Sequence, residues 1–125
     1  MEIIYTQESV EGEPGPILYW RGRQDEYLRL LCDLHRLGLG RDVTLRLEDL
    51  SYVRLVGLRS YEMVCSEGSD CAGRVEAGLA LTRLGVELWR QFLHRVLSVT
   101  FSASFVFQEF SGVDAPVSVI MRSSA

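Results

Sequence analysis

Two stretches of the chain carry apolar residues at helical spacing, and most of the remainder alternates apolar with polar positions. Residues 23–37 place Tyr27, Leu30, Leu31, Leu34 and Leu37 on one wide face, which predicts an amphipathic helix. Asp25 and Glu26 fall in its first turn, where carboxylates suit the helix dipole, and Gly38 and Gly40 supply the stop. Asp25, Arg29, Asp33 and Arg36 alternate in sign on the other side and predict a solvated ladder of weak pairs. Residues 86–99 predict a second helix. Trp89, Phe92, Leu93 and Val96 form its buried stripe, while Glu87, Arg90, Gln91, His94 and Arg95 face water.

The alternating stretches predict strands. Residues 3–6 and 17–20 flank a loop at 7–16 that is rich in Gly, Pro and Glu, and Gly22 is expected to end the second strand. Val43, Leu45 and Leu47 point inward from a half-buried strand whose outer positions are Thr44, Arg46 and Glu48. Residues 52–56 and 58–65 continue the β pattern with a bend at Gly57, and Tyr61, Met63 and Cys65 share one face. Residues 65–84 read as a hairpin around the turn-rich 66–70, with Val75, Ala77, Leu79 and Leu81 together on one side. Residues 103–110 form a further strand. The uncharged, β-prone run 101–107 is expected to be central, because exposure would make it an aggregation hazard. Val117, Val119 and Met121 alternate in a last strand. This order predicts a single α+β domain over residues 1–125. Its expected form is a mostly antiparallel sheet of six to eight strands with two amphipathic helices packed on one face.

Composition narrows the class. A net charge of −4 and a pI near 5.2 argue against a nucleic-acid binder. All 13 basic side chains are arginine, and both lysine and asparagine are absent. The missing residues share A-rich codons, so a GC-rich genome accounts for them. The first residues show no basic and apolar leader pattern, and the longest uncharged run, 96–108, is too short and polar to span a bilayer. A cytoplasmic protein with no membrane association is therefore expected. Three cysteines argue against a disulfide scaffold.

Few residue sets could carry chemistry. Cys32 and His35 are spaced to reach one metal ion, but a structural zinc needs four ligands and no second close pair accompanies them. The same two could make a nucleophile pair, yet Cys32 lies beside leucines rather than in the electropositive setting a reactive thiol needs. Cys65 and Cys71 would form a disulfide if they faced each other across the hairpin, and in a reducing compartment they stay thiols. His94 lies on the polar face of the second helix. No phosphate-binding loop, metalloprotease motif or nucleophile elbow is present. No catalytic residue, metal or cofactor is therefore expected. The acidic residues are more suggestive. Glu8, Glu11 and Glu13 lie in a loop without a base, and Glu62, Glu67 and Asp70 surround the second turn. These six are the candidate partner-binding residues. Loops of one sign can steer a basic partner, with exposed Tyr or Trp as anchors.

Three segments carry a family resemblance. Leu18-Tyr19-Trp20-Arg21-Gly22 runs into the Leu-rich helix and is followed by Val43-Thr44-Leu45-Arg46-Leu47, while the Trp89 helix precedes Phe107-Gln108-Glu109-Phe110. This pattern resembles the small immunity-type proteins encoded beside bacterial polymorphic toxins. Their last motif often reads His-Gln-Tyr, where this chain has Phe107, Gln108 and Glu109. The resemblance implies a non-enzymatic cytoplasmic inhibitor of one cognate protein toxin. It carries over no functional residue, because such proteins use family-specific surfaces. The alternatives are a self-associating domain, dimeric through an edge strand, and a small enzyme or ligand binder with a pocket near Tyr27, Cys32 or His35.

Overall fold

The computed structural model describes residues 1–38, 44–68, 71–102, 106–110 and 117–124. In chain order the elements are β1 (Glu2–Thr6), β2 (Ile17–Arg23), α1 (Gln24–Gly38), β3 (Thr44–Arg46), β4 (Arg54–Val56), β5 (Ser60–Ser66), β6 (Cys71–Glu76), β7 (Leu79–Gly85), α2 (Val86–Ser102), β8 (Val106–Phe110) and β9 (Val117–Ser124). The class is α+β, as expected. The strands do not form one mostly antiparallel sheet. They divide into a five-stranded sheet of order β4-β1-β2-β9-β8 and a four-stranded sheet of order β3-β5-β7-β6. Three neighbouring pairs, β1–β4, β2–β9 and β5–β7, run parallel.

Helix α1 follows its pattern closely: Tyr27, Leu30, Leu34 and Leu37 are buried. Its start is capped by its third residue, since the Glu26 carboxylate accepts a hydrogen bond from the Arg23 amide at 2.9 Å. The solvated ladder is only partly present. Asp33 pairs with Arg36 and accepts the Tyr52 hydroxyl at 2.6 Å, while the Arg29 guanidinium lies 4.4 Å over the Tyr52 ring. Burial and the Asp33 carboxylate together raise the Tyr52 pKa. Helix α2 buries Trp89, Phe92, Val96 and Val99, packs beside α1, and touches strands of both sheets.

Trp20 on β2 joins the layers. Its ring meets Tyr61 of the other sheet edge-on at 5.7 Å and Phe92 of α2 at 5.8 Å. The strand does not stop at Gly22. It runs to Arg23 in parallel register with β9, and a Cβ at Gly22 would sit 3.2 Å from the Met1 side chain. The predicted strand through Glu48 ends at Arg46. The chain there enters a 3-10 turn (Leu47–Asp49), which brings the Glu48 carboxylate to the Ser60 hydroxyl at 2.7 Å and the Tyr61 amide at 3.0 Å. Burial works to raise the Glu48 pKa, but these hydrogen bonds outweigh it and hold the carboxyl below its ordinary value.

The largest departure from the expected pairing lies between residues 65 and 84. β5 and β6 are not partners; β7 lies between them, parallel to β5 and antiparallel to β6. The hairpin is β6–β7, closed by Ala77 (φ 53°) and Gly78 (φ 80°). Two central residues with positive φ make a type I′ turn, which matches the twist of the flanking strands. Cys65 and Cys71 both oppose Leu84, one from each side. Their Cα atoms are thus two strand spacings apart, about 9.6 Å, beyond the roughly 7 Å a disulfide can bridge. Ala77 is the wrong residue for a left-handed position. Ala77→Asn is expected to raise stability by about 0.5 kcal/mol in a urea melt, because Asn tolerates that conformation. Destabilisation would show that the turn is not of this type.

The run 101–107 is not a central strand. Phe101 and Ser102 finish α2, residues 103–105 lie outside the described residues, and β8 is an edge strand among the described residues.

Candidate functional site

The six acidic candidates do not converge. Glu8 is exposed in the N-terminal loop. Glu11 is held by Arg122 of β9 at 2.9 Å, and Glu13 lies in a bridge with Val10. Glu62 sits mid-strand on β5 and pairs with Arg46 at 3.1 Å. Glu67 lies past the other end of β5, beside the first turn of α2, and Asp70 falls outside the described residues. Arg122, reaching in from β9, thus offsets one charge of a loop that contains no base of its own. Neither tryptophan serves as an exposed anchor, since Trp20 and Trp89 are both buried.

The residues considered for catalysis or a ligand divide between the core and the surface. Tyr27 is a core residue: its hydroxyl lies 2.9 Å from the Trp20 carbonyl and 3.0 Å from the Arg122 carbonyl, and burial raises its pKa. Cys32 and His35 are exposed on α1. Among the described residues no three His, Cys, Asp or Glu side chains are placed to hold a metal ion.

What the fold does assemble is the outward face of the four-stranded sheet. Tyr61, Met63 and Cys65 turn inward from β5, and Ala80, Thr82 and Leu84 turn inward from β7. The Tyr61 hydroxyl and Thr82 Oγ1, 2.7 Å apart, form a buried pair that fixes this phase. The alternate residues therefore point out. Cross-strand register sets Arg46, Glu62, Leu81 and Arg74 in one row across the four strands, with Ser60, Leu79 and Glu76 in the next. Their side chains line an open groove of about 550 Å³. Leu79, one of the lining residues, is 51% exposed.

The pattern of the chain had placed Leu79 and Leu81 on one side with Val75. The two-residue turn reverses this, since a shift of one residue moves a whole strand's apolar set to the other face. The signal for it was Ala77-Gly78, a weaker hairpin dipeptide than Asn-Gly or Asp-Gly. An apolar pair ringed by both signs of charge can bind a protein surface.

No described helix is long and apolar enough to cross a membrane. Comparison with protein-family models, curated proteins and solved structures finds no match to this chain.

Proposed function

We propose that this protein is a non-enzymatic binding domain of the immunity type, which acts in the cytoplasm and neutralises a cognate protein toxin by direct contact. The observation that carries the reading is the exposed Leu79 in the lining of the sheet groove, beside the Arg46–Glu62 pair, Arg74 and Glu76. Protein contacts commonly centre on such an apolar spot within a polar rim. The rim carries both signs, so the partner need not be strongly basic. Among the described candidates Glu62 alone lies in this surface; Glu8, Glu11, Glu13 and Glu67 lie outside it and supply at most long-range steering.

The test is co-purification and growth protection. The full chain is produced with the C-terminal domain of the protein encoded immediately upstream. Leu79→Asp is expected to weaken the complex at least roughly tenfold, about 1.4 kcal/mol, while the melting temperature of the free protein stays unchanged. No binding and no protection by the wild type would overturn the reading. Protection undiminished in Leu79→Asp would move the contact away from this face.

A further inference from the structure

A second surface, on the helical side, has its own chemistry. Helix α2 carries two apolar stripes. Trp89, Phe92, Val96 and Val99 face the core. Leu93, Leu97 and Phe101, four residues apart, run along the flank for about 12 Å at 1.5 Å per residue. Leu97 is 40% and Phe101 66% exposed. One depression of about 220 Å³ lies between the helices, with Leu31 and His35 of α1 facing Arg90, Leu93, His94 and Leu97. A second, of about 530 Å³, continues it along α2 past Arg95 to Phe101 and shares His94 and Leu97 with the first. Both histidines of the chain meet on this groove.

Among the described residues Arg90 and Arg95 supply the charge of the lining, and no carboxylate belongs to it. Glu87 stands 3.7 Å from Arg90, and both side chains are largely exposed, so that contact offsets little of the charge. A helix laid in an apolar groove presents anchors at i, i+3 or i+4, and i+7. Flanking carboxylates on such a helix would meet Arg90 and Arg95. A symmetric second copy would instead bring one arginine-bearing lining against another, which disfavours self-pairing through this face.

We propose that the α1/α2 groove docks an acidic amphipathic helix of a partner protein. The probe is a fluorescein-labelled peptide of about five helical turns, with leucines at helical spacing and glutamates on both flanks. The control carries lysines in place of the glutamates. Anisotropy with the full chain at low salt is expected to show the glutamate peptide binding at least roughly tenfold tighter than the lysine peptide. Leu97→Asp with Phe101→Ser should abolish binding. Arg90→Glu with Arg95→Glu should reverse the preference, a gain that a misfolded variant could not produce. Equal binding of both peptides, no binding of either, or a groove-dependent dimer in sedimentation would overturn the proposal. The surface is separate from Leu79, so the Leu97/Phe101 variant should still protect against the toxin, and each reading can fail alone.

Discussion

Trp20→Ala is expected to destabilise the protein by about 4 kcal/mol, in the upper range for removing a buried aromatic side chain. The reason lies in what the ring joins. It is fully buried on β2, at the centre of the five-stranded sheet, and contacts Tyr61 of the four-stranded sheet and Phe92 of α2. A cavity there removes apolar contact from three layers at once, and rigid neighbours on opposite sides limit how far it can collapse. At about 4 °C per kcal/mol for a chain of this size, the melting temperature should fall by roughly 15 °C. Among the described residues the indole N–H finds no hydrogen-bond partner, so the ring acts as an apolar wedge. Trp20→Phe loses volume but also removes an unpartnered donor, and its cost should stay near 1.5 kcal/mol. Paired urea melts check this. If Trp20→Phe costs as much as Trp20→Ala, the N–H has a role that packing does not describe. If Trp20→Ala costs under about 1.5 kcal/mol, Trp20 is not the junction.

Position along the chain revealed this residue's strand but not its importance. Tyr27, Leu30, Leu34 and Leu37 made α1 legible because helical contacts are local and repeat every three to four residues. Strand phase was legible where a strand's own alternation is strong, as at Tyr61, Met63 and Cys65. Long-range pairing was not. One neighbour of β2 is β9, about one hundred residues away in parallel register, and nothing local in 17–23 encodes that choice. The candidate site failed for a related reason. Glu11 looked unopposed until β9 brought Arg122 to it, and Leu79 shared a side with Val75 until the turn at Ala77-Gly78 set its strand's phase. Charge counted within a loop omits charges that non-local strands deliver.

Glu26 shows the same limit, and it carries the other large expected effect. Its first-turn position explained it as a dipole-compatible carboxylate. Yet the residue is only 9% exposed, and its carboxylate pairs with the buried α-amino group of Met1, which also donates to the Tyr52 carbonyl at 2.7 Å. Burial pushes the Glu26 pKa up, but the Arg23 amide and the Met1 ammonium outweigh it and hold the carboxyl below its usual value of 4.5. Glu26→Gln keeps an oxygen for the Arg23 amide and removes only the charge, leaving the buried ammonium without its counterion. The expected cost is about 3 kcal/mol at neutral pH, since breaking a buried pair from one side strands the other charge. The pH dependence follows from the direction of the shift. A carboxyl whose folded pKa lies below its unfolded value stabilises fully above the unfolded value, and that contribution is lost as pH falls through the folded value. The gap between wild type and Glu26→Gln should therefore stay constant from pH 7 down to about 5.5 and narrow below about 4.5. Glu26→Ala should cost about 1 kcal/mol more, because the helix cap goes with the charge. Urea melts of the three proteins from neutral to acid pH decide it. A gap that stays unchanged through the acid range would show that the ion pair contributes nothing and that Glu26 serves α1 only as a cap.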